Sequence, residues 1–348
     1  MKRFLALALA LLLGPAACDD DGPTTPLPPD GSEVAVVLNS IDRSLTVFPV
    51  QEPTQTSTIG LAPDGSPVTL AVRGTLAAIP LGSVPAVAIA DLSTGSVIRT
   101  VGLPAGSQAT GVAFVNDSIA LVANPALDTV SPVNVRRGTR GDDITVGGFP
   151  QTIVVDGDRA FVLNAELGDD FLPERTGTLT VIDRTSLEVL GTIELSGFNP
   201  TAAAVGPDGR LYIVHAGSFG AGDGSLSIVS PTALEEVEHH EGFGEFPGSA
   251  AFGPGGRLHI GSFGFGIAIW DPATGSFVRP PEDAIAPAGI PSTSGVGFDG
   301  EGRLYALEPE CSAPASAFRL DSEHEVEVEI PVGICPIGIA FTTLTAGE

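Results

Sequence analysis

A short apolar segment, a tight turn and a second apolar segment recur along this chain in nearly the same wording. That recurrence limits the fold more than any other feature. The clearest copy runs Pro200-Thr-Ala-Ala-Ala-Val-Gly-Pro-Asp-Gly-Arg-Leu-Tyr-Ile-Val-His215, followed by a Gly-rich loop and Ser225-Leu-Ser-Ile-Val229. Second-strand texts appear as Glu33–Asn39, Ser118–Asn124, Arg159–Asn164, Arg210–His215, Arg257–Ser262 and Arg303–Glu308, with Thr75–Pro80 as a degenerate copy. First-strand texts precede most of them, as in Pro67–Val72, Pro150–Val155, Pro200–Val205 and Pro247–Phe252. Third strands follow in Ser44–Phe48, Ala86–Asp91, Thr178–Asp183 and Gly266–Asp271, and fourth strands in Ser96–Val101, Glu188–Ile193 and Glu325–Ile330. Period-two alternation bounded by Gly, Pro, Asn and Asp is the signature of strands.

Four strands in a period of about 40 to 50 residues describe a propeller blade. A blade has two faces to cover and cannot cover them alone, so the blades must close into a ring. Full units begin near Pro67, Ser107, Pro150, Pro200, Pro247 and Pro291. The N-terminal unit starts at a second strand, and the C-terminal text Pro336-Ile-Gly-Ile-Ala-Phe341 is a first strand without a partner. Joined, the two ends make a seventh blade and remove the open sheet edges that invite aggregation. The expected fold is an all-β, seven-bladed β-propeller of four-stranded blades over 33–344, its first blade closed by the C-terminal strand. Six and eight blades are the neighbouring counts.

The Tyr/Phe-Val-x-Asn strand, the Leu-x-Val-Ile-Asp strand and the following Thr-Ile resemble YVTN-type seven-bladed propeller repeats, most closely over Pro150–Phe198. The Gly-Pro-Asp-Gly-Arg-Leu-Tyr text is also similar to gluconolactonase-like and virginiamycin B lyase propellers, although their tryptophan-rich second strands are missing. Trp270-Asp271 occurs once and has no Gly-His partner, which disfavours WD repeats. The resemblance speaks to architecture more than to activity.

The first seventeen residues pair a basic Met1-Lys-Arg start with an apolar run, Phe4 to Leu13, too short to span a bilayer. They read as a secretory signal. The ending Ala16-Ala17-Cys18 resembles a lipoprotein lipobox with Pro15 in place of the usual leucine, which implies lipidation of Cys18. Residues 18–32, acidic and Pro-rich, read as a disordered tether. The implied location is the bacterial cell envelope, on the periplasmic side or the cell surface, with membrane attachment through the N-terminal lipid only. An exported compartment permits a disulfide between the two remaining cysteines, Cys311 and Cys335; two free buried thiols are the alternative. At a separation of 24 residues its closure contributes roughly 3 kcal/mol on the chain-entropy account.

Without the leader, 14 basic residues face 42 acidic ones, a formal charge of −28. Such a surface repels nucleic acid and anionic lipid headgroups, and Arg136-Arg137 with Arg140 reads as a solvated loop. In a propeller, the loops between second and third strands share one face with the loops that lead from one blade's fourth strand to the next blade's first. That loop face is expected to carry Asn39, Asn124, Asn164, His215 and Glu308, each at the end of a second strand, as binding candidates. A repeated Asn also serves as a turn residue, and His215 as a partly exposed turn histidine. The insert 165–177 adds Glu166, Asp169, Asp170 and Glu174, a set that could hold calcium through oxygen ligands or be a solvated acidic loop. No cofactor is expected otherwise. Aromatic content is low, with one Trp and two Tyr, which argues against a stacking platform.

These observations lead to a lipid-anchored, monomeric propeller that acts as a non-catalytic binding module and takes a protein or small-molecule ligand at its loop face. The alternative is a metal-dependent hydrolase or lyase with calcium or magnesium at the acidic channel mouth. A purely structural scaffold is the third reading.

Overall fold

The computed structural model describes residues 28–345. The signal segment, Cys18 and most of the expected tether lie outside that range. Seven antiparallel sheets follow one another around a ring, each with its first strand innermost. Blade 1 joins the N-terminal strands Glu33–Asn39, Ser44–Pro49 and Ser57–Gly60 to the C-terminal strand Pro336–Thr343. The closing pair runs from Glu33 opposite Thr343 to Asn39 opposite Pro336. Blades 2 to 7 span Ala71–Gly102, Val112–Thr145, Pro150–Glu194, Pro200–Glu241, Pro247–Arg279 and Gly295–Ile334. Short 3₁₀ turns are the only helical segments among the described residues.

Second and third strands are buried along nearly their whole length, as in Glu33–Asn39 and Thr178–Asp183. Their side chains alternate between two neighbours. Seven apolar clusters result, one at each blade junction. Val34 and Val36 face blade 2, while Ala35 and Val37 face blade 7 beside Tyr305 and Leu307. A strand buried on both faces has no polar side, so its sequence reads as a continuous apolar run.

First strands are tied across junctions by hydroxyls. Thr110 Oγ1 donates to the Gln151 carbonyl at 3.3 Å, Thr152 Oγ1 to Thr201 at 2.7 Å, and Thr201 Oγ1 to Pro247 at 3.0 Å. Thr342 Oγ1 of the closing strand reaches Gly74 of blade 2 at 3.1 Å. These bonds hold the innermost strands where the apolar clusters thin out.

The first strand of blade 2 is shorter than its text, Ala71–Arg73 against Pro67–Val72. Before it the chain bends at Gly65, with φ 128°, against Leu81; a Cβ there would meet the Leu81 carbonyl oxygen at 2.9 Å. In blade 3 the first strand is Val112–Phe114, later than the Ser107 start of its text. The fourth strand of that blade is split into Thr139–Arg140 and Ile144–Thr145. The fold also begins before Glu33: Gly31 N donates to Leu344 O at 2.7 Å and Leu344 N to Ser32 O at 2.9 Å.

The Asp-Gly-Arg-Leu-Tyr text at 208–212 and its longer counterpart Asp-Gly-Glu-Gly-Arg-Leu-Tyr at 299–305 are staples on the quiet face, where the turns from first to second strands lie. Tyr212 donates its hydroxyl to Asp208 Oδ2 at 3.0 Å, and Tyr305 to Asp299 Oδ2 at 3.2 Å. Arg303 Nε adds an ion pair to the same Asp299 oxygen at 2.7 Å.

Candidate functional site: the loop face

Each second strand climbs from the quiet face and ends at the loop face. There the repeated Asn does one job. Asn39 Nδ2 donates to Ser44 Oγ at 3.1 Å and Thr46 Oγ1 at 2.9 Å; Asn124 donates to Thr129 and Ser131, and Asn164 to Thr178 and Thr180. All three asparagines are fully buried. Asn39 Oδ1 also accepts from Gly333 N at 3.1 Å, which ties blade 1 to blade 7. These amides bracket the base of each loop, with the hydroxyls of the third strand as acceptors.

His215 holds the corresponding position in blade 5. It is fully buried, its Nε2 lies 2.7 Å from Ser227 Oγ, and its Nδ1 has no partner. Burial, aided by the nearby His239, pushes its pKa down to about 3. Gly197 lies over the ring; a Cβ there would sit 2.5 Å from His215 Cγ. The adjacent pair His239-His240 splits between the two sheet faces, His239 toward His215 and His240 against Trp270. Glu308 closes the second-to-third loop of blade 7, its Oε2 accepting from Ser316 N at 2.9 Å.

The four insert carboxylates do not gather into one cluster, although Asp170 and Glu174 both approach Gly168. Glu166 is buried and committed: its Oε2 accepts from Arg175 Nη2 at 2.7 Å and Gly148 N at 3.1 Å, and its Oε1 from Thr178 Oγ1 at 2.6 Å. Asp170 Oδ1 accepts from Leu172 N at 3.1 Å, within its own turn. Asp169 and Glu174 are exposed. Among the described residues no three His, Cys, Asp or Glu side chains are arranged to hold a metal ion. Cys311, in the second-to-third loop of blade 7, is bonded to Cys335, the residue that leads into the closing strand.

What the loop face displays instead is phenylalanine. Phe171, Phe219 and Phe263 stand 61%, 80% and 51% exposed, one from each second-to-third loop of blades 4, 5 and 6. Phe171 packs edge-on against Phe149 with ring centroids 5.8 Å apart, and Phe219 lies 5.0 Å from Phe246. Phe149 and Phe246 are left-handed, with φ of 51° and 49°, directly before the prolines that open their first strands. Asn199 and Cys335 repeat that conformation in blades 5 and 1. Bulky residues avoid this region, and residues preceding proline favour extended backbone. The Phe219 loop is shaped by Gly217, φ 71°, where a Cβ would lie 2.0 Å from Asp223 Oδ1.

The exposed large apolar side chains fall into two groups, one on fourth strands (Ile98, Val189, Leu190, Val237, Val278) and one on the loop face; among the described residues none lies in a quiet-face turn. The loops of the same face also carry exposed carboxylates: Asp169, Asp170, Glu174, Asp223 and Glu245. Counting Trp and Tyr passes over this set, because the aromatic residue used is Phe. The signal in the sequence is Phe directly before the first-strand proline, at Phe149-Pro150 and Phe246-Pro247.

No family model matches the chain, and no curated protein matches it in sequence. Among solved structures, hydrazine synthase of Kuenenia stuttgartiensis is similar, with a TM-score of 0.62 and 18% identity over 79% of this chain and 89% of that one. At that identity the likeness shows the fold alone. With 1322 solved chains matching, the architecture does not select a function.

Proposed function

We propose that this seven-bladed propeller is a non-catalytic binding module that docks a protein partner on the loop face of blades 4 to 6. The observation that carries the reading is the set Phe171, Phe219 and Phe263, held outward by three successive loops and absent from the opposite face. Protruding aromatic side chains suit a partner that supplies the pockets; aromatic anchors dominate binding energy at protein interfaces. The exposed carboxylates on the same loops favour a partner that also carries basic groups, where charge sets orientation and association rate.

The direction of the chain supports the rest of the proposal. The described residues begin at the quiet face, since Glu33 opens a second strand that climbs toward the loop face. A tether from a lipidated Cys18 would therefore attach on the quiet side and leave the phenylalanines pointing away from an envelope membrane. The repeat wording, read as YVTN-type, belongs to the same proposal.

Photo-crosslinking tests it. Benzoylphenylalanine at positions 171, 219 and 263 should give one shared adduct with an envelope extract of the source cells. The same probe at Asp158 and Thr274, in quiet-face turns, should give none. Equal labelling from both faces, or no adduct from the loop face, removes the reading.

A further inference from the structure

We propose that the cleft between blades 2 and 3 on the quiet face binds a phosphate-bearing molecule through Arg99 and Arg136. The cleft has a volume of about 630 Å³; its walls come from turns and strands of blades 2 and 3 and from Thr345 after the closing strand. Arg73 comes from the first turn of blade 2, Arg99 from the fourth strand of that blade, and Arg136 from the turn after the third strand of blade 3. In sequence Arg136 belongs with Arg137 and Arg140. The fold separates them, since Arg140 pairs with Asp143 at 2.6 Å while Arg136 turns to the cleft.

Both carboxylates in the cleft are already engaged. Asp117 is ion-paired with Arg73, and the hydrogen bond from that guanidinium holds its carboxyl below the usual range. Asp91 Oδ1 accepts from Ser93 N at 2.9 Å and Ser93 Oγ at 2.6 Å. Arg136 Nε donates to the Asp117 backbone carbonyl at 2.9 Å. Neither Arg99 nor Arg136 has a carboxylate within ion-pairing distance among the described residues. Three guanidiniums against two carboxylates leave the cleft locally positive in a chain that is otherwise strongly acidic. Guanidinium forks match phosphate oxygens in pairs. Leu76 and the exposed Ile98 offer an apolar wall beside them, which fits an organic phosphate better than the bare ion. Because the cleft opens on the side where the chain enters the fold, a lipid headgroup and a soluble phosphate ester are both sources of this chemistry.

The test uses the purified full-length protein in two arms. Calorimetric titration with glycerol 1-phosphate, against sodium chloride at matched ionic strength, reads a soluble ligand. Co-flotation with phosphatidylcholine vesicles, with and without phosphatidylglycerol, reads a headgroup through the excess that the anionic lipid produces. Binding in at least one arm is expected, and R99A/R136A should weaken it about tenfold or more, the loss of one to two charge-assisted bonds. R210A, whose guanidinium is paired with Glu238 on the same face, should leave it unchanged. So should F219S on the loop face, which separates this site from the proposed docking surface. Both guanidiniums are exposed, so the double variant should melt with the parent protein. Absence of binding above the chloride blank in both arms, or equal binding by R99A/R136A, overturns the proposal.

Discussion

At the scale of single residues, the loop-face positions show how one repeated side chain can be read from sequence and still be misplaced in depth. The Asn that ends three second strands is legible in the text; its burial is not. Depth depends on the third strand, where Ser44/Thr46, Thr129/Ser131 and Thr178/Thr180 stand opposite as acceptors. An amide with such partners can be buried, whereas one without them costs the full desolvation of its polar atoms. His215 shows the same site with a titratable occupant. Its pKa is pushed down to about 3 in the fold against an ordinary 6.5, so the native state refuses a proton that the unfolded chain accepts. Stability from this group is complete above pH 6.5 and falls as the pH drops from there toward 3, by about 1.4 kcal/mol per pH unit at most. His259, pushed down to about 4 by burial, adds to that slope. His215→Asn restores the side chain used in blades 1, 3 and 4, with Ser225 and Ser227 in place to meet it. It should cost under about 1.5 kcal/mol at pH 8 and flatten the acid slope of urea-derived stability. An acid slope unchanged in the variant would falsify the assignment.

At the scale of the element, the closing strand Pro336–Thr343 carries the ring. It pairs with Glu33–Asn39 along its length and donates Thr342 Oγ1 to blade 2. The disulfide fastens its entry: Cys335 bonds Cys311 at the loop face, and the Cys335 carbonyl accepts from Ser40 N at 2.9 Å. The closed loop of 24 residues contributes about 3 kcal/mol by restricting the unfolded chain. C311S/C335S should therefore lose about that much in denaturant unfolding, and the parent protein should lose the same amount on reduction. A double variant as stable as the parent would show that the closing strand holds without it. The text of this strand was readable, because a first strand with no second strand after it needs a partner from elsewhere. The short first strand of blade 2 was not, because the contact of Gly65 with Leu81 that ends its approach is tertiary.

At the scale of the whole molecule, the ring sorts its surface. Apolar exposure goes to the loop face and the outer strands, while eight arginines (Arg73, Arg136, Arg137, Arg159, Arg184, Arg210, Arg257 and Arg303) stand in or beside quiet-face turns. The many carboxylates repel one another, and ion pairs such as Arg73 with Asp117 and Arg210 with Glu238 are half-exposed and contribute little. Sodium chloride from about 0.01 M to 0.15 M shortens the screening length from about 30 Å to about 8 Å. It should raise Tm by a few degrees, as self-repulsion is relieved. A Tm that falls over the same range would mean that ion pairs outweigh the repulsion.

The sequence by itself determined the blade, its four strands and the joining of the two ends, and it pointed to seven blades between six and eight; the closed ring decided the count. Each of these follows from local periodicity and from the need of an apolar strand to be covered on both sides. Only the tertiary structure decided which side chains meet. It buried Asn39, Asn124, Asn164 and His215, spent Glu166 on Arg175, and gathered Arg73, Arg99 and Arg136 from two blades into one cleft. It also raised Phe171, Phe219 and Phe263 together on one face. The physical reason is that these contacts join residues on different loops and blades, and their distances are set by the closure of the ring, which no local pattern records.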